Sequence, residues 1–359
     1  MEKFQTVFGM LDLMQRPAFC VQDQTIIKVN TAAAPFLIET GCNVNSLLHT
    51  GSEEYTEFSG GCLYLTLSIA GHTMGASVVR VGELDIFTIE QDEADPQLQA
   101  LALAARELRE PLSNVMTMTD QLFPTLDSDN AKAQDQISRI NRGLFQMLRI
   151  LGNMSDAERY RADTGMQQEV RNISALLAEV FRSGAALASH AGVTLNYTGY
   201  PDGVYMLTDA QKIERMVLNI LSNALKFTPS GGTINARLTR RGTRMYLSVY
   251  DSGSGIAENL RGDIFSRYGR EVAVEDSRYG LGLGMVLIRS TAAAHGGTVL
   301  VDHPDGVGTR ITVSFAIRQG NATVRSPRIR IDYAGERDHG LIELSDVLPA
   351  ELYREDLIN

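Results

Sequence analysis

Short apolar runs separated by glycine-rich or polar breaks open the chain. AFCVQ, TIIKVN, CLYLTLSI, ASVVRV and LDIFTIE are rich in β-branched and aromatic residues, which favours strands. SGGC and AGHT interrupt them, so residues 1–94 are predicted to form a small antiparallel sheet with one or two helices. After DEADP the period changes. Asp95 is placed to cap a helix and Pro96 to fill its first turn. Apolar or small residues then recur at Leu98, Leu101, Ala105, Leu108, Leu112, Val115, Thr119 and Leu122, in steps of three and four. That spacing is a coiled-coil seam. A turn at PTLDSDN leads to a second seam through Ile137, Ile140, Leu144, Met147, Leu151 and Met154. Residues 95–165 are therefore expected to form an antiparallel helical hairpin. A lone hairpin leaves one side of its seam uncovered; a four-helix bundle in a dimer covers it, and packing on the chain's own domains is the alternative.

From 166 to 318 helical and strand periods alternate. ISALLAEVFRSGAALAS and DAQKIERMVLNILSNALKF read as amphipathic helices, and TINARLTR, MYLSVYD, GTVLVD and TRITVSFAI as strands, which predicts a helix layer on a sheet. The fold class is α+β multidomain. Residues 319–359 hold a strand-like run (RIRIDY), a polar turn (AGERDHG) and a short helix candidate around PAELYREDL. No function follows for this extension.

Composition narrows the classes. With 359 residues, 44% of them hydrophobic, two or three cored domains are expected. A net charge of -10 disfavours a nucleic-acid partner, since phosphates would be repelled. No apolar run approaches the roughly 20 residues of a membrane span. The start, MEKFQTVFGMLDLMQRP, has mixed charge and no cleavage-site pattern. A cytoplasmic location is the expectation. Cys20, Cys42 and Cys62 lack metal-ligand spacing and read as reduced thiols.

Four local patterns carry chemistry. In NILSNALKFTPSGG, Asn219 and Asn223 share one helix face, with Lys226 a turn further on. An amide oxygen can ligate Mg²⁺ and a lysine can neutralise phosphate. In VYDSGSGI a strand delivers Asp251 into a turn where Gly253 and Gly255 permit close approach or unusual dihedrals. A carboxylate there can accept from an adenine amino group. DIFSRYGR follows. In YGLGLGMVLIRSTAAAHGG, Gly280, Gly282 and Gly284 open a helix whose backbone amides can cradle phosphates. Each pattern alone is also compatible with a solvated helix face or an ordinary turn.

In this order they resemble the ATPase domain shared by sensor histidine kinases, gyrase, Hsp90 and MutL, over about Asp209 to Ile317. The resemblance implies an α/β sandwich binding ATP and Mg²⁺. NILSNALKFTP looks like the N box, with Asn223 on Mg²⁺ and Asn219 and Lys226 at the phosphates. DSGSGI looks like the G1 box, with Asp251 reading adenine. DIFSRY looks like the F box, with Phe265 anchoring a lid. GLGLG, with Gly280, Leu281 and Gly282, looks like the G2 box. In GVGTRITVSF, Thr309 would lie near the nucleotide. One position departs: the family usually has a further glycine two residues before Gly280, and here stands Arg278, followed by Tyr279. Arg278 is either a phosphate ligand or a solvated lid residue.

RELREPL resembles the phosphoacceptor motif of the same family through Glu107, Leu108, Arg109, Pro111 and Leu112. A proline inside a helix costs about 3 kcal/mol, and the family bears it at this place. The acceptor position, however, holds Arg106. Arginine stays protonated and offers no lone pair to a phosphoryl group. None of His49, His72, His190, His295, His303 and His339 lies on the first hairpin helix. Glu107 would be a base with nothing to activate, and Glu110 replaces the usual Thr or Asn tied to phosphatase activity. PAFCVQDQTIIKVNTAAAPFL, including Asn30, resembles the opening of a PAS sensory domain, which would signal through the hairpin by shifting helix packing; a small α+β dimerisation domain is the alternative.

Three functions remain. The first is phosphorylation of a partner's histidine in trans, in a heterodimer with an intact kinase; a homodimer is the other pairing expected of the hairpin, and a response regulator would lie downstream. The second is a pseudokinase whose ATP-set shape regulates a partner. The third is a serine kinase of the anti-sigma kind, which lacks the heptad helices and the RELREPL motif.

Overall fold

The computed structural model describes residues 2–90, 96–122, 130–161, 167–256, 264–265, 283–319 and 337–354. The N-terminal part comprises Glu2–Leu13 (α1), Ala18–Gln22 (β1), Thr25–Val29 (β2), Leu48–Thr50 (β3), Ser52–Thr56 (α2), Cys62–Ile69 (β4), His72–Val81 (β5) and Leu84–Ile89 (β6). All five strand-like runs of this region become strands. Asn30 ties its start together. The buried amide oxygen accepts from Ala18 and Ala33 amides, each at 3.0 Å, and its nitrogen donates to the carbonyls of Leu11, Met14 and Arg16. A buried polar side chain persists because every lone pair and proton is used.

Two long helices follow, Pro96–Leu122 (α3) and Ala131–Arg161 (α4), packed against one another. Asp95 lies outside the described residues. Each seam splits by heptad position. Ala105, Leu112 and Thr119 of α3 are buried, as are Ile137, Leu144 and Leu151 of α4. The intervening seam positions face outward: Leu108 is 55% exposed, Val115 48%, Leu122 52%, Ile140 51% and Met147 51%. Pro111 sits inside α3, where the ring removes a hydrogen bond to the Glu107 carbonyl.

The C-terminal half runs Glu169–Asn172 (β7), Ile173–His190 (α5), Thr194–Thr198 (β8), Tyr205–Thr208 (β9), Ala210–Phe227 (α6), Thr233–Arg241 (β10), Arg244–Asp251 (β11), Leu283–Ala294 (α7), Val299–Asp302 (β12) and Thr309–Ala316 (β13). Asp209 caps α6, its side chain accepting from the Lys212 amide at 3.2 Å. Ile234, Ala236 and Leu238 of β10 and Met245, Leu247 and Val249 of β11 are buried at every second position, against the buried face of α6.

The two halves share one sheet. Among the described residues its strand order is β2-β1-β6-β5-β4-β12-β13-β11-β10-β8, with β3 also on β4. The joint is antiparallel pairing of Cys62, Leu63 and Tyr64 with Val301, Leu300 and Val299. Gly61, with φ +88°, lies where a side chain would strike the Val301 carbonyl. Arg244 Nε pairs with Glu54 at 2.8 Å across the joint, and Arg289 pairs with Glu90 beneath the Tyr64 ring. The sequence divided these parts into separate domains on either side of the hairpin. The structure adds a direct seam, because both edge strands carry apolar residues that a neighbouring strand buries.

The C-terminal extension also packs. His339–Glu343 forms a short helix (α8), and Leu341, Ile342, Leu344, Leu348 and Tyr353 are buried. Tyr353 meets the Phe145 ring of α4 edge-on at 5.1 Å. RIRIDY lies outside the described residues.

Candidate functional site

The alternation of β11 puts Asp251 on the same face as Met245, Leu247 and Val249, so an apolar row ends in a carboxylate only 5% exposed. Its Oδ1 accepts from the Gly253 amide at 2.9 Å and the Thr309 amide at 3.2 Å. Among the described residues nothing donates to Oδ2. One oxygen is anchored and the other is open to a donor. Burial raises the Asp251 pKa above its ordinary value; the Gly253 and Thr309 amides and His303 pull it back without cancelling that effect. A side chain at Gly253 would stand 2.5 Å from the Phe227 carbonyl, and Gly308, at φ +68°, has no room beside the Asp251 carbonyl. Gly255, at φ +74°, completes the turn against His303.

Helix α6 brings the second group. Asn219 is 1% exposed, and its amide nitrogen donates to the Arg215 carbonyl at 2.9 Å and to Glu343 Oε2 at 3.3 Å. Asn223 lies one turn on. Its amide nitrogen meets only the Met285 sulfur, at 3.9 Å, among the described residues. Gly284 opens α7 against this face, since an added Cβ would come within 3.0 Å of Asn219 Oδ1. Lys226 Nζ pairs with Asp346 at 2.7 Å. Phe265 is buried, with its ring 5.6 Å from that of Tyr64 of β4. Gly280, Leu281, Gly282 and Arg278 fall outside the described residues. Arg106, Glu107 and Glu110 lie exposed on α3.

Four residues here escaped the sequence reading. Glu343, fully buried, receives Arg215 Nε at 3.2 Å and Arg149 Nε at 3.4 Å besides the Asn219 amide. Asp346 bridges Lys226 and Arg149. Burial opposes the Asp346 charge, yet Arg149 and Lys226 together hold its pKa below the usual carboxylate value. The available signal was the apolar content of LIELSDVLPAELY, which is too high for a solvated tail.

Residues 208–319 match the family described as Histidine kinase-, DNA gyrase B-, and HSP90-like ATPase. Asn219, Asn223, Lys226, Asp251, Gly253, Gly255, Phe265 and Thr309 all lie within that stretch. Histidine kinase P4 of Formosa agariphila is 26% identical over 231 residues, covering 63% of this chain and 17% of its own length. Histidine protein kinase DivJ of Caulobacter vibrioides is 27% identical over 257 residues, covering 66% of this chain and 42% of its own length. Residues 208–319 are an ATPase domain of this type, and the chain around them is similar to histidine kinases. The chain spans less than half the length of both proteins. A third similar protein, the uncharacterized sensor-like histidine kinase R01002 of Rhizobium meliloti, is 27% identical and is covered over 53% of its length. Full-length ShkA, solved in complex with AMPPNP, shares the fold with a TM-score of 0.50 and 24% identity, over 62% of this chain and 47% of that one. Among the described residues no helix is long and apolar enough to cross a membrane.

Proposed function

We propose that this chain is a histidine kinase family member that binds Mg-ATP through residues 208–319, passes no phosphoryl group to its own hairpin, and acts on a partner held by α3 and α4. The observation that carries the nucleotide reading is Asp251: one carboxylate oxygen is anchored by two backbone amides while the other is left for an exocyclic amino group. Around it, Asn223 would hold Mg²⁺, Asn219 and Lys226 would meet phosphate, and Thr309 would line the base. Mg-ATP would supply the transferable phosphoryl group; the side chains position it and offset its charge.

Arg106 supports the second part. It stands on an exposed face of α3, where the family carries its acceptor, and its guanidinium cannot accept phosphate. The outward rows Leu108, Val115, Leu122 and Ile140, Met147 support a hairpin partner, a second copy or an intact kinase. Residues 1–94 are read as the PAS-like sensory module, and a response regulator as the downstream recipient.

Incubation with γ-labelled ATP and Mg²⁺ tests this. The natural protein should take up no acid-labile label, and Arg106→His should acquire it. Label on the hairpin of the natural protein would falsify the proposal. If ATP binds and neither protein labels, even with an intact kinase as partner, the pseudokinase reading replaces phosphotransfer in trans.

A further inference from the structure

Two side chains assigned above to the phosphate end of the nucleotide site are held by carboxylates of the chain itself. Glu343 is 0% exposed. A carboxylate so far from water persists only where cations and donors replace its hydration. Arg215, Arg149 and the Asn219 amide do so, at 3.2, 3.4 and 3.3 Å. Asp346 takes Lys226 at 2.7 Å. Both protons of the Asn219 amide are committed, one to Glu343 and one to the Arg215 carbonyl. Two of the groups assigned above to phosphate therefore serve carboxylates in this structure.

The contact is built rather than incidental. Helix α4 grips the backbone of the segment: Arg142 donates to the carbonyls of Ser345 and Asp346, each at 3.0 Å, and Asn141 to that of Tyr353 at 3.1 Å. The Tyr353 hydroxyl closes the loop on the Leu341 carbonyl at 2.8 Å. The side chains of Arg149 and Lys226, on α4 and α6, meet on Asp346. The segment thus lies between the hairpin and the site from which a phosphoryl group would leave.

We propose that residues 338–354 are an intramolecular ligand of the nucleotide site, whose Glu343 and Asp346 carboxylates hold the phosphate-binding side chains and must be displaced by the triphosphate of ATP. The inference rests on the reading of residues 208–319 as an ATP site. Docking lowers the apparent ATP affinity by the fraction of molecules with the segment released. Adenosine, which lacks phosphates, does not compete with it. Movement of α4 loosens the segment and so ties nucleotide access to the state of the hairpin.

The test compares ATP and adenosine binding by the full chain and by Glu343→Gln/Asp346→Asn. The variant should bind Mg-ATP at least tenfold more tightly and adenosine with unchanged affinity. Equal or weaker ATP binding by a variant with the wild-type circular dichroism spectrum, or a parallel gain for adenosine, overturns the proposal. The variant leaves two buried arginines short of partners, so a second measurement uses the natural protein. Hydrogen exchange at residues 341–348 should accelerate when saturating Mg-ATP is added, and protection that stays equal or rises with ATP bound overturns the proposal. If adenosine binds and ATP affinity is independent of the segment, this inference alone fails. If neither ligand binds either protein, the nucleotide-site reading fails and takes this inference with it.

Discussion

At the scale of single residues, Asp251 carries opposing demands. Folding takes its carboxylate out of water, and burial raises its pKa despite the Gly253 and Thr309 amides and His303. A folded-state pKa above the unfolded value of 3.8 means that the group's contribution to stability is fully present below that value. It is lost as pH rises through the folded pKa. Asp251→Asn removes this loss, so the melting temperature of the variant relative to the natural protein should rise from acid to neutral pH. Nucleotide affinity should fall about 10- to 100-fold, the worth of a charged hydrogen bond of roughly 1.5–3 kcal/mol. Calorimetric melting and titration with ATP check the two halves separately; unaltered ATP affinity would remove Asp251 from the site. The position of Asp251 was legible because strand alternation and a following glycine turn are local. Its Thr309 amide partner was not, since that residue comes from a strand 58 residues away.

At the scale of elements, the hairpin helices show how a heptad is divided. Both seams were legible from spacing alone, and burial now separates their two positions: Leu112 and Leu144 inside the pair, Val115 and Met147 outside it. Half-exposed rows of this kind gain about 1 kcal/mol per side chain when a partner buries them, roughly half the worth of full burial. Val115→Glu/Met147→Glu should therefore shift the particle from dimer to monomer in light scattering while leaving helix content intact. A natural protein that is monomeric at tens of micromolar, or a variant of unchanged mass, would sink the hairpin interface. The short helix α8 was less legible. Five residues carry too little periodicity to identify, and its buried face exists only because α4, α5 and α6 converge on it.

At the scale of the molecule, a sheet crosses from the N-terminal part to the ATPase-type part, and Tyr64 at the crossing touches Phe265. On the proposed reading, a change in residues 1–94 would have two routes to the nucleotide site, along the hairpin and through this joint. Continuity also has a thermodynamic consequence, because halves that share a sheet and buried ion pairs unfold together. Gly61→Val, which pushes against the Val301 carbonyl, should split one calorimetric transition into two. A natural protein already melting in two independent steps would contradict the coupling.

The sequence by itself determined what depends on neighbours in the chain: strand and helix periods, the heptad spacing, and the residue types of the four motifs. Those features follow from side-chain spacing over one or two turns, which local chain geometry converts directly into faces. Only the tertiary structure decided which edges pair and which charges meet. The pairing of β4 with β12, and of Glu343 and Asp346 with Arg149, Arg215 and Lys226, joins segments from distant parts of the chain. Such contacts depend on complementary burial and charge after collapse, when removal from water makes each unpaired backbone edge and each unpaired ion expensive enough to select one arrangement.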